Sequence, residues 1–242
     1  MIEQHLDIAT ADGTMNTFIT HPEEDGPHPV VFFYMDAPGK REELHDMARR
    51  LGTAGYYVVL PNLYYRSARE FDLFSGEPTH TAERMWTLMT SLDDALVLSD
   101  TEALFAHVDA DPAADASRIG AMGYCMSGPY SFAVACTFPD RIKAAASIYG
   151  VRLFGEGSSA PSAANARGEL YFACAEFDDY APQAMIDGLD AHLREIGANA
   201  RVEVYPGTHH GFAFPGRGPL YDKPSAERHW ERLHDLFSRN LH

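Results

Sequence analysis

Three short segments of the 242-residue chain carry the side chains that nucleophilic catalysis needs. In Arg118-Ile-Gly-Ala-Met-Gly-Tyr-Cys-Met-Ser-Gly128 a short apolar run reaches a cysteine among small residues and passes into an apolar, helix-like stretch. That is the layout of a strand turning sharply into a helix, with the residue at the bend strained and its side chain presented above the sheet. Gly123, two residues before the tip, keeps the bend free of side-chain collisions, and Ser127 stands where glycine is commoner. Cys125 at the tip gains from the helix behind it, whose N-terminus favours thiolate over thiol. Taken alone, a cysteine is as readily a small buried hydrophobe. The later segments tip the balance, because a thiol nucleophile needs a base and a group to orient that base.

The acid is found in Glu169-Leu-Tyr-Phe-Ala-Cys-Ala-Glu-Phe-Asp-Asp-Tyr-Ala-Pro182, an apolar strand ending in a carboxylate-rich loop, where Asp178 is the better of the adjacent pair. The base is found in Arg201-Val-Glu-Val-Tyr-Pro-Gly-Thr-His-His-Gly-Phe212, where His210 precedes Gly211-Phe212. Singly, Asp178 reads as a helix-capping carboxylate upstream of Pro182, and His209 and His210 as loop polarity. Together, at matching strand ends and in the order nucleophile, acid, histidine, they read as a triad. The chemistry that follows is acyl transfer. His210, oriented by Asp178, helps form the Cys125 thiolate; the thiolate attacks an ester or lactone carbonyl, and water hydrolyses the thioester. Oxyanion donors are expected in the backbone N–H groups of Met126 and Ala37.

These segments resemble the dienelactone hydrolase family, whose members carry a Cys-Asp-His triad on an α/β-hydrolase fold. The resemblance covers nearly the whole chain, through Gly123-Tyr-Cys-Met-Ser-Gly128, Phe177-Asp-Asp-Tyr-Ala-Pro182, Tyr205-Pro-Gly-Thr-His-His-Gly-Phe212 and Gly55-Tyr-Tyr-Val-Val-Leu-Pro-Asn-Leu-Tyr64. It implies a fourth acidic residue near the nucleophile, and Asp36 in Tyr34-Met-Asp-Ala-Pro-Gly39 matches it, one methylene shorter than the usual glutamate. There Asp36 would accept the cysteine proton or keep the resting thiol neutral by charge repulsion; its plainer role is a turn residue before Pro38-Gly39. The resemblance also implies arginines that hold a substrate carboxylate. Arg66 in Leu63-Tyr-Tyr-Arg66 matches the first, whereas Arg217 lies late in its loop and reads as a solvated surface residue. The implied activity is ester or lactone hydrolysis of the carboxymethylenebutenolidase type. The alternatives are a broad carboxylesterase, a thiol-redox protein pairing Cys125 with Cys174, and a non-catalytic binder.

The formal charge of −16, from 19 basic and 35 acidic residues, argues against nucleic acid or an anionic membrane as partner and leaves a small-molecule ester or lactone. No apolar segment is long enough to span a bilayer, and the first residues lack a basic then apolar signal, so a cytoplasmic location is expected. Three cysteines without metal-type spacing suit a reducing compartment, and the twelve histidines form no helix-spaced ligand pair. No metal or other cofactor is expected.

The elements that must position these residues read as α/β. Glu3 to Ala9 and Met15 to Thr20 suggest an antiparallel edge hairpin around Asp12-Gly13. Pro29 to Met35 and Tyr56 to Leu60 are strands flanking a helix with Leu44, Met47, Ala48 and Leu51 on one face. Thr79 to Val108 reads as one long or two shorter helices. Then come a helix over Ser127 to Phe138, strands over Ile142 to Tyr149 and Leu170 to Ala175, and a helix over Pro182 to Ile196. A strand over Val202 to Tyr205 and a helix over Ser225 to Phe237 close the chain, and Gly155 to Ala166 is a surface excursion. The alternation predicts one α/β-hydrolase domain over residues 1–242, a mostly parallel central sheet with helices on both faces.

Overall fold

The computed structural model describes Met1–His242 and contains eight strands in the order β1-β2-β4-β3-β5-β6-β7-β8. The chain divides into two compact units, Met1–Ile119 and Gly120–His242.

In the first unit the hairpin is β1 (Ile2–Thr10) and β2 (Gly13–His21), paired antiparallel, with β2 in turn antiparallel to β4 (Tyr57–Pro61). Strand β3 (His28–Tyr34) runs parallel to β4, and helix α1 (Glu42–Thr53) makes the crossover between them. All seven residues of β3 are buried, as a strand covered on both faces requires. The long apolar pattern resolves as two helices, α2 (Ala82–Thr90) and α3 (Asp94–Ala110). The break is chemical: the Asp93 carboxylate accepts the Leu96 N–H at 2.9 Å and starts α3 as a new helix.

Strand β5 (Ala114–Tyr124) crosses from the first unit into the second. A 3₁₀ turn, Cys125–Ser127, joins it to α4 (Gly128–Thr137). Every residue from Gly128 to Cys136 is buried, which accounts for the absence of any polar face in that helix. The order continues through β6 (Ile142–Ile148), β7 (Glu169–Phe177), α5 (Gln183–Glu195), β8 (Ala200–His209) and α6 (Lys223–Leu241), with β6, β7 and β8 parallel. Two 3₁₀ segments, Ala160–Asn165 and Pro215–Leu220, lack the periodicity that would reveal them in the sequence. No helix is long and apolar enough to cross a membrane.

Candidate active site

Three loops at the C-terminal ends of β5, β7 and β8 carry Cys125, Asp178 and His210, all within the second unit. Cys125 has φ of 55°, the left-handed region that a non-glycine residue enters only when its surroundings compel it. Those surroundings are specific. The Ser127 hydroxyl accepts from the Tyr124 N–H at 3.0 Å and donates to the Tyr124 carbonyl at 3.1 Å, while the Cys125 carbonyl accepts from the Val151 N–H at 3.2 Å. Serine at position 127, where glycine is commoner, is thus an internal strut of the bend. Gly123 is required for a different reason: a Cβ there would lie 2.2 Å from the Ser127 carbonyl oxygen. Because that obstacle is backbone, Gly123→Ala should destabilise the fold by about 3 kcal/mol, read as a lowered urea midpoint at unchanged m.

The register of β7 and β8 explains how Asp178 comes to lie beside His210. The ladder runs from Leu170↔Ala200 to Ala175↔Tyr205, is interrupted by a bulge at Pro206-Gly207, and resumes at Phe177↔His209. Glu176 secures the bulge by accepting the Gly207 N–H at 2.6 Å. Asp178 and His210 each lie one residue past the resumed pair, so they leave neighbouring strand ends about 5 Å apart. His210 Nδ1 donates to Asp178 Oδ2 at 2.8 Å, and the other carboxylate oxygen accepts the N–H groups of Tyr180 and Ala181 at 2.9 and 3.1 Å. The adjacent residues turn elsewhere: Asp179 is exposed, and His209 packs against Phe177 at 5.4 Å.

The imidazole of His210 leans back across the strand ends, its ring 5.0 Å from Tyr180 and 4.9 Å from Tyr149, which follows β6. Its Nε2 is buried and makes no completed hydrogen bond. Burial alone would lower the histidine pKa; the bond to Asp178 and the nearby Cys125 sulfur outweigh it and carry His210 up to about 9. Cys125, half-buried, therefore faces an imidazole whose surroundings favour holding a proton received at Nε2. Cys174 differs: it is buried on β7, and burial, reinforced by Asp178 and Asp190, pushes its thiol up to about 12. All three cysteines are free.

The remaining expected site residues divide between the units. Met126 is buried in the turn after Cys125. In the first unit Ala37 is buried after β3, its carbonyl accepting the Tyr64 hydroxyl at 2.8 Å. Asp36 is fully buried and gripped by Arg41, Nη1 to Oδ1 at 2.5 Å and Nη2 to Oδ2 at 3.3 Å. Arg41 also reaches Glu43 at 2.7 Å and the Gly39 carbonyl at 3.1 Å. That five-residue reach across a turn has no periodic signature, so the sequence does not announce it.

Arg66 does not present an open guanidinium. It closes on the buried Asp100 through two bonds of 2.9 and 2.7 Å, reaches Asp12 at 2.8 Å, and stacks over Tyr65. Arg217, read as a surface residue, is half-buried; its side chain packs beside Gly211 and its guanidinium lies over Phe214 at 5.8 Å. Of the aromatics in the region of the sequence around Arg66, Tyr64 and Phe71 are buried while Phe74 and Trp86 are exposed.

Known proteins place this arrangement in context. A protein of Methylorubrum extorquens named "Putative carboxymethylenebutenolidase" is 29% identical over 98% of this chain and 81% of its own length. A Synechocystis protein of the same name is 26% identical over 93% of this chain and 91% of its own. Among solved structures, a Klebsiella pneumoniae protein described as "Putative Dienelactone Hydrolase" superposes with a TM-score of 0.87 at 26% identity, covering 98% of each chain. The fold is accordingly that of the α/β-hydrolases, a mostly parallel eight-stranded sheet with helices. The dienelactone hydrolase family model matches residues 15–241, and with that span the chain belongs to the dienelactone hydrolase family and is a hydrolase of that type.

Proposed function

We propose that the protein hydrolyses ester or lactone bonds through a thioester on Cys125, with His210 as base and Asp178 as its orienting carboxylate. The observation that carries this reading is the 2.8 Å bond from His210 Nδ1 to Asp178, which leaves Nε2 buried, unpaired and next to Cys125. His210 Nε2 takes the Sγ proton, and the thiolate adds to the substrate carbonyl, forming a C–S bond and an oxyanion. As the oxyanion collapses, the C–O bond to the leaving alkoxide breaks and the alkoxide takes the proton from His210. Water then gives a proton to Nε2 and attacks the thioester, releasing the carboxylic acid and the thiol. The N–H of Met126 is the oxyanion donor that follows from the bend. A thiolate is both a good nucleophile and a good leaving group, so activated acyl groups such as enol esters and enol-lactones suit it better than amides.

The names borne by the relatives favour a dienelactone-type substrate. The closure of Arg66 on Asp100 and Asp12 gives that residue a framework role and leaves the broader class, ester or lactone, as the reading supported here. Acid-quenched mass spectrometry during turnover of p-nitrophenyl acetate tests the intermediate. One acetyl group per chain, mapped to Cys125 and accompanied by a burst of p-nitrophenol, is expected. A burst with the acetyl group elsewhere would sink the assignment.

A further inference from the structure

A buried layer beneath the nucleophile joins it to the base loop without taking part in the chemistry. Tyr124 directly precedes Cys125, and its hydroxyl lies 2.9 Å from Nε2 of His229, 105 residues further on in α6. Both side chains are fully buried. Nδ1 of His229 faces the Ala226 carbonyl, which can only accept, so Nδ1 carries the proton and Nε2 is left to accept from the Tyr124 hydroxyl. The tautomer, and with it the direction of the bond to Tyr124, is therefore fixed.

The same two rings touch the segment that carries the base. The Tyr124 ring lies 5.0 Å from Phe214, and the His229 ring 6.1 Å from Phe212. Phe212 and Phe214 lie two and four residues after His210, in the segment that follows β8. Tyr149 completes the layer, 5.7 Å from Tyr124, 5.4 Å from Phe212 and 4.9 Å from His210. Cys125 and His210 are thus linked through Tyr124, His229 and Phe212 by one directional hydrogen bond and close ring contacts.

We propose that Tyr124 and His229 are a positioning pair that sets the separation between Cys125 Sγ and His210 Nε2; the proposal rests on the triad described above. Ring packing alone tolerates small rotations of an aromatic residue. A buried hydroxyl bonded to a fixed imidazole nitrogen does not, because a rotation would break a directional hydrogen bond away from water. Proton transfer between sulfur and nitrogen is sensitive to shifts of this size, and a misplacement near 1 Å costs on the order of 100-fold in rate. Neither residue touches substrate in this scheme.

Tyr124→Phe removes only the hydroxyl, and His229→Gln keeps an acceptor where Nε2 stood. For Tyr124→Phe the expected result is a fall in kcat of about 10-fold to 100-fold on p-nitrophenyl acetate with KM unchanged. The NMR titration midpoint of the His210 ring should also move down from about 9, because the Cys125 contribution to it weakens. His229→Gln should retain most of the kcat and the midpoint. Unchanged kcat and midpoint in a folded Tyr124→Phe would overturn the proposal, as would a loss in which KM and thermal stability change while the midpoint stays. The midpoint is read without turnover, so the pair is tested even if Cys125→Ala proves active and the triad itself fails.

Discussion

Cys125→Ala is expected to abolish hydrolysis of p-nitrophenyl acetate and of dienelactone, with kcat lowered on the order of 10⁶-fold. The size follows from the way the groups act as a unit: without the sulfur, the imidazole and its carboxylate have no proton to take and no nucleophile to release. Folding is not expected to suffer, since the bend is held by Ser127 and Val151 through backbone groups of Tyr124 and Cys125 that the substitution leaves in place. Cys125→Gly adds a second readout. At φ of 55° a side chain is strained and glycine is not, so the glycine variant should be equally inactive yet about 1 kcal/mol more stable in urea. Inactivity with no gain in stability would mean that the bend stores no strain; activity surviving in Cys125→Ala would remove the cysteine from the mechanism.

Asp178→Asn is expected to lower kcat by about 10⁴-fold while leaving the fold intact. Asparagine can still accept the Tyr180 and Ala181 N–H groups, but it can offer its amide N–H to Nδ1 and so drive the ring proton to Nε2, the atom that must be free to accept. The same substitution has a pH signature. His210 rises from 6.5 to about 9 on folding, so its contribution to stability is complete below pH 6.5 and is lost as pH climbs through about 9. The slope over that window amounts to up to about 3 kcal/mol in the native protein. Asp178→Asn removes both contributions of Asp178 to the upward pull, so that alkaline decline should flatten. Denaturant unfolding at pH 6 and pH 9 on both proteins checks it, and an identical decline in the two would show that Asp178 does not hold the histidine's proton.

Much of this site was legible in the chain because its parts are local. Gly123, Cys125 and the apolar helix after them form one continuous signal, and the end of an apolar strand is where Asp178 and His210 both fall. It is Asp178 rather than Asp179, and His210 rather than His209, that meet in a hydrogen bond between the two strand ends. What stayed hidden is long in range or irregular. The strand expected to stop at Tyr205 continues to His209, because Pro206-Gly207 is a bulge rather than a terminating turn and the ladder resumes beyond it. Arg66 pairs with Asp100, 34 positions away, a partnership no spacing rule supplies and one that a family pattern alone would not suggest. Ser127 looked like a departure from the commoner glycine; only the bonds on both sides of Tyr124 explain it.

The different settings of the three cysteines also have a practical side. Cys136 and Cys174 are closed in the interior, the latter with its thiol pushed up to about 12, whereas Cys125 keeps access to solvent. A bulky thiol reagent at neutral pH therefore has one reachable target, and its incorporation reports on Cys125 alone. The native sequence is ready for single-site labelling, by fluorophore or by activity-based probe, with no need to engineer other thiols away.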